Sequence, residues 1–234
     1  MVAGNTLSAC AKEISLNIDI ISDVVCPWCY IGKLQIEAAL ALYAQQHAGA
    51  ERPRVHWRPF QLNPQLPAEG MSRQDYVVQK FGTARAKDVY ARVTAVGAEH
   101  GVAFAFDRIA RQPNTVAAHS LIALAGAAGA RADELQARVK EAFLHAYFLD
   151  GVDLTQTENL VAIAAAAGLD RTQAQQCLAD PKSRLAVEQE DQRARAIGVQ
   201  GVPFFIFNGK VAVSGAQGAQ ALLDAMRQAE TAAA

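Results

Sequence analysis

Cys26-Pro27-Trp28-Cys29 stands where one hydrophobic period gives way to another, and no other feature limits the possible folds as much. Upstream, Ile14, Leu16, Ile18 and Ile20 put an apolar side chain at every second position, the pattern of a strand. Downstream, Ile31, Leu34, Ala38 and Leu42 recur at helical spacing, which predicts a helix running to about His47. Pro27 falls in its first turn, where a missing N–H costs little. Val55-His56-Trp57-Arg58-Pro59-Phe60 predicts a second strand, ended by proline. Strand, helix and strand then form a βαβ unit, which should be right-handed.

From about Ser72 to Arg195 the pattern is almost wholly helical. Helices are predicted over 73–81, 83–100, 115–126, 132–148, 156–167, 171–178 and 183–197, and Asn63-Pro64-Gln65-Leu66-Pro67 is a loop. The pattern then returns to β. Phe204-Phe205-Ile206-Phe207 and Lys210 to Ser214 flank Asn208-Gly209, a strong hairpin signal, and 217–229 closes the chain as a helix. The fold class expected is α/β, a thioredoxin-like core with a large all-helical insertion. The core is discontinuous, 12–66 and 183–230, and the insertion is 67–182.

Disulfide exchange needs one reachable thiolate and a second thiol near enough to close a ring. A Cys-x-x-Cys at a helix start supplies both. Orphan N–H groups and the helix dipole favour negative charge on the first cysteine, so its pKa should fall. Cys26 is therefore the candidate nucleophile, and Cys29, one turn in and less exposed, the resolving thiol. Two other uses of such a pair stand beside this one. Closing a zinc site needs two more ligands, and His47, His56, His100, His119 and His145 show no matching spacing. Two inert buried cysteines fit poorly, because the junction position favours exposure. Cys177, in a helical pattern, reads as a small apolar residue, and Cys10 is expected in a frayed tail.

Pro203 directly precedes the strand 204–207, in Gly198-Val199-Gln200-Gly201-Val202-Pro203, and suits a strand's first residue. In a thioredoxin-like fold this X-Pro bond is cis and faces the dithiol, turning the backbone of Val202 toward an extended substrate segment. An ordinary strand-initiating trans proline is the alternative.

Composition bounds the partners. The 234 residues are 51% hydrophobic and 19% charged with a net charge of −1, which suits a globular protein. Basic stretches able to neutralise several phosphates are missing, so nucleic acid is not an expected partner. Nor does an apolar run reach the ~20 residues that span a bilayer. The first residues lack the charge and apolar core of a signal peptide, so a cytoplasmic location is expected, and Leu7-Ser8-Ala9-Cys10 is a chance likeness to a lipoprotein box.

The chain resembles the DsbA-like oxidoreductases, most closely their FrnE-type branch. The likeness rests on 22–32 around the cysteines, Trp57 to Pro64, Asn114-Thr115 with Ala118-His119, Phe143 to Asp150, Gly168-Leu169-Asp170, Gly198 to Phe205 and Val213 to Gln217. It implies dithiol–disulfide exchange and a cis bond at Pro203. It also implies supporting or substrate-binding positions at Pro27, Trp28, Val202, Asn114 and His119. Asn114 after Pro113 is equally a natural N-cap, and a lone His119 on an alanine-rich helix equally a structural residue. Periplasmic oxidants of this family carry histidine where Trp28 stands. Indole cannot carry a full positive charge, so this pair should be less oxidising.

Three functions follow in order. The first is a disulfide oxidoreductase, with isomerase activity open, acting on protein or peptide thiols or on small thiols such as glutathione. It needs no bound cofactor beyond the Cys26–Cys29 disulfide, and a homodimer stays open. The second is a glutathione-dependent transferase or isomerase on a small aromatic substrate, although relatives of that kind place serine where Cys26 stands. The third is a non-enzymatic holdase or binding module.

Overall fold

The structure, a computed structural model, describes residues 16–232, the side chains of 83 and 84 apart. Cys10, the start of the predicted first strand and the first residues of the predicted core lie outside them. Strand β1 (Asn17–Ser22) runs parallel to β2 (Arg54–Pro59), with helix α1 (Pro27–Gln46) crossing between them. Helices α2 (Arg73–Glu99), α3 (Val116–Gly126), α4 (Ala132–Phe148), α5 (Thr157–Ala166), α6 (Arg171–Ala179) and α7 (Pro181–Ala196) follow. Strand β5 (Phe204–Phe207) then pairs antiparallel with β1, and β6 (Val211–Ser214) with β5, before α8 (Ala219–Thr231). The sheet order is β2-β1-β5-β6. This is a thioredoxin-like α/β core with a helical insertion.

Two short strands in the helical stretch escaped the sequence pattern: β3 (Met71–Ser72) and β4 (Arg111–Gln112) pair antiparallel. Two residues are too few to display a period of two. The helices predicted over 73–81 and 83–100 are continuous apart from Gly82, whose φ of 72° breaks the geometry. The last of the block begins at Pro181, not 183, because proline is already shaped for a first helical position and Asp180 caps the end by accepting from Lys182 N–H. The hairpin turn has Asn208 and Gly209 both at positive φ, 49° and 66°, as its two residues require.

Helix α1 is buried on several sides toward its start, at Cys29, Tyr30, Ile31, Gly32 and Lys33. The sheet and α8 cover one flank and the helical block another. Phe205 and Phe207 of β5 enter this main core with Ile18 and Ile20, while Ile21, Phe60, Ala194 and Val199 form a smaller cluster on the opposite face. Helix α4 joins the block to the sheet through one residue. Gln136 Oε1 accepts from Trp57 N–H at 2.9 Å, and its Nε2 donates to Trp57 C=O at 3.1 Å. The edge strand β2 therefore has its outward backbone groups at Trp57 satisfied by a side chain.

Candidate active site

Cys26 is the N-cap of α1, with extended backbone (φ −97°, ψ 112°), and Pro27 is the first helical residue. Cys29 N–H donates to Cys26 C=O at 3.0 Å, closing the first turn and holding the two thiols on one side of it. Both cysteines are free thiols. Cys26 is 4% exposed and Cys29 0%, so the order of access matches the order of roles expected, but Cys26 is far less open than its junction position suggested. The loop before β5 closes over it: Cys26 Sγ lies 3.4 Å from Val202 C=O, to which the thiol donates. The Val202–Pro203 peptide bond is cis. Gly32 lets this loop sit against α1, because a Cβ there would stand 2.8 Å from Pro203 Cγ.

The two sulfurs are electrostatically unlike. The Cys26 pKa is lowered, chiefly by the hydrogen bond from the Cys29 thiol, with the N–H groups of Cys29 and Trp28 adding to it against burial and the Asp23 charge. The Cys26 thiol itself makes no side-chain capping bond. The Cys29 pKa is pushed well up, first by burial and then by the proton it shares with Cys26. Trp28 is half-buried against the main core.

His119 of α3 is buried and donates from Nε2 to Asp23 Oδ1 at 3.2 Å. Asp23 Oδ2 accepts from Leu62 N–H at 2.8 Å. Burial is the largest influence on the Asp23 pKa and pushes it up, but the His119 bond and charge, the Leu62 N–H and the Lys140 charge together outweigh it and hold the carboxyl below its ordinary value. Burial pushes the His119 pKa down despite Asp23. Asn114 is not the N-cap of α3; Thr115 occupies that position. Asn114 Oδ1 still accepts from Val116 N–H at 3.0 Å and from Gln61 Nε2 at 3.1 Å, while its Nδ2 donates to Leu66 C=O at 2.7 Å. Its amide thus braces the loop after β2, which also carries Leu62 to Asp23. Asp191 of α7 holds the same loop through Gln61 N–H at 2.8 Å.

Asp23 and Lys140 were not among the candidate residues from sequence. Lys140, on α4, is 1% exposed, and its Nζ lies 5.7 Å from the centre of the Trp57 ring. Helical spacing carries a signal for it, since Gln136, Lys140, Phe143 and Tyr147 share one face and all are buried. Cys177 is only half-buried; its thiol lies 3.6 Å from Ser120 C=O, and burial raises its pKa. Among the described residues, no group of three or more His, Cys, Asp and Glu side chains is placed to hold a metal, and no helix is long and apolar enough to cross a membrane.

A vicinal dithiol at the first helix N-terminus, facing the loop that enters an antiparallel strand of a four-stranded mixed sheet, defines a thioredoxin-fold dithiol protein. More narrowly, the chain belongs to the DsbA-like thioredoxin domain family, whose description matches residues 17–227. A probable DsbA oxidoreductase from Streptomyces coelicolor is 30% identical, with 92% of this chain and 90% of that one aligned at a TM-score of 0.80. A 2-hydroxychromene-2-carboxylate isomerase shares the fold at 17% identity (93% and 98% covered, TM-score 0.66). So does the cytosolic disulfide reductase DsbM from Pseudomonas aeruginosa, at 17% identity (93% and 98% covered, TM-score 0.58). No curated protein matches this chain.

Proposed function

We propose that the chain is a thiol–disulfide oxidoreductase that exchanges a Cys26–Cys29 disulfide or dithiol with protein or small-thiol partners. The observation that carries this reading is the asymmetry of the two sulfurs. One thiol is held toward its thiolate at the only rim of the pair that solvent reaches, and the other is held protonated behind it. In the reducing direction the Cys26 thiolate attacks a substrate disulfide, one substrate sulfur leaves as thiolate, and a mixed disulfide forms. Cys29 then loses its proton and attacks Cys26 Sγ. The Cys26–Cys29 bond closes and the second substrate thiolate departs. The oxidising direction is the reverse.

Val202 C=O, now a partner of the Cys26 thiol, is the acceptor that an extended substrate backbone would meet first. Asn114 and His119 work from behind, fixing the loop after β2 and the Asp23 carboxylate. Glutathione is the small thiol favoured as redox partner, since DsbM of the same fold has been solved with it and is described as a cytosolic reductase. A cytoplasmic setting fits the same reading. The test is Cys26→Ser in insulin reduction and in oxidative refolding of a reduced protein: both activities should vanish, and full activity would overturn the assignment. Glutathione-dependent turnover of a small aromatic substrate that survived the substitution would favour the transferase reading instead.

A further inference from the structure

A thiolate in this site has an electrostatic difficulty. Cys26 is 4% exposed and Cys29 not at all, so water solvates a charge on either sulfur poorly. A buried charge without a partner is expensive, and it normally acquires one. The residue between the cysteines that could best approach the thiolate is Trp28, which carries no charge. The buried Asp23 carboxylate, three residues before Cys26, makes matters worse, because it opposes a negative charge on that sulfur. The Cys29 thiol and the N–H groups of Cys29 and Trp28 favour the thiolate, and a cation from elsewhere in the fold would add to them.

Helix α4 delivers one. Gln136 bolts the helix to Trp57 of β2, and Lys140, one turn on, runs into the interior over the Trp57 ring. The β1–β2 register sets Trp57 opposite Ile20, and Asp23 follows directly on β1. Glu141, the next residue of α4, accepts from Tyr30 Oη at 2.5 Å, and Tyr30 directly follows Cys29, so α4 brings Lys140 to the end of the βαβ unit that bears the dithiol. The groups that favour its ammonium are Cys29, then Asp23, then Cys26, set against burial and Lys33 of α1. His119 of α3 is the hydrogen-bond partner of Asp23, and Asp191 of α7 acts on His119 in turn. Lys33 is committed elsewhere, 2.7 Å from both Glu37 and Glu141.

We infer that Lys140, a residue of the helical insertion, is the fixed positive charge that stabilises the reduced dithiol and so sets how oxidising it is. With the disulfide closed, Asp23 is the charge that favours the Lys140 ammonium. On reduction, two glutathione thiols give two electrons to the Cys26–Cys29 bond and leave as glutathione disulfide. One of their two protons goes to Cys29 and the other to solvent, while Cys26 remains a thiolate within the field of Lys140. Lys140 is a positioning and poise-setting residue; it forms no bond to substrate. The charge comes from helix α4 rather than from between the cysteines. The inference rests on the redox reading of the site and deepens it.

The test is equilibration of the purified protein with glutathione buffers, together with ultraviolet titration of the Cys26 thiolate. Lys140→Met and Lys140→Gln should each shift the equilibrium toward the disulfide form about tenfold, which corresponds to about 30 mV. The thiolate midpoint should rise in both, and Lys140→Arg should restore both readings toward the parent values. Asp23→Asn, which removes the opposing charge, should move them the other way, and it gives the reading if neither uncharged variant folds. Folded uncharged variants with unchanged midpoint and equilibrium, or an Asp23→Asn variant shifted in the same direction as Lys140→Met, would overturn the inference. Exchange activity that survives Cys26→Ser would instead overturn the redox reading itself, so the two failures are distinguishable.

Discussion

Asp23 and His119 meet in the interior, Oδ1 3.2 Å from Nε2, and link the turn after β1 to helix α3 across nearly a hundred residues of sequence. Burial holds the imidazole neutral below its ordinary titration point. The unfolded chain therefore binds a proton to His119 at a higher pH than the folded chain does. Stability contributed by the neutral imidazole is fully present above about pH 6.5 and is lost as pH falls from there toward the depressed folded value. Urea denaturation at pH 7.5, 6.5 and 5.5 should show this loss. His119→Gln should be less stable at pH 7.5 yet flatter across the range; an equally steep profile in the variant would remove His119 as the cause.

Gly32 predicts a packing defect with a redox readout. An added Cβ would stand 2.8 Å from Pro203 Cγ and 3.2 Å from Phe205 Cζ, and a proline ring has little freedom to yield. Gly32→Ala should cost about 1–3 kcal/mol, the usual range for overpacking. It should also slow reaction of Cys26 with a small disulfide, because Val202 moves with Pro203. A stable variant with unchanged kinetics would show that the loop tolerates displacement.

Removing the buried sulfur should trap the first step. Cys29→Ala keeps Cys26 but leaves nothing to release the mixed disulfide. Incubation with glutathione disulfide should then add one glutathione per chain, visible by mass spectrometry, while turnover falls to background. Attachment at Cys177 instead, in a peptide map, would contradict the assigned roles.

Trp28→His tests the dipeptide between the cysteines independently of Lys140. A histidine there can donate to the thiolate, so the variant should be more oxidising in glutathione buffers. An unchanged or more reducing pair would show that position 28 does not reach the Cys26 sulfur.

Gln136→Ala deletes two hydrogen bonds to a strand edge and leaves Trp57 N–H and C=O without them. The expected loss is about 2–3 kcal/mol. It should appear as a lower denaturation midpoint with the thioredoxin-like sheet and the insertion still unfolding together.

Much of the site could be read from local pattern. The period change around Cys26, the proline before β5 and the Asn208-Gly209 turn are each encoded within a few residues, and the structure has them at those positions. What local pattern could not supply is what meets across the fold. Met71 pairs with Gln112, and Asp23 with His119, over separations that no short window spans. The burial of Cys26 is invisible to local pattern for the same reason, since its cover is Val202, 176 residues away. Lys140 is a different case. A lysine on a helix reads as a solvated side chain, and only the apolar company at Val139, Phe143 and Leu144 argues otherwise.

Gln136 and Lys140 are one helical turn apart, so the screw of α4 serves two tasks at once. The same rotation that presents an amide to the sheet's border presents an ammonium to its interior. A single-residue insertion or deletion in the turn before Gln136 would swing both by about 100°. A change in the register of α4 would therefore move the border of the sheet and the Lys140 charge together, where a point substitution changes only one of them.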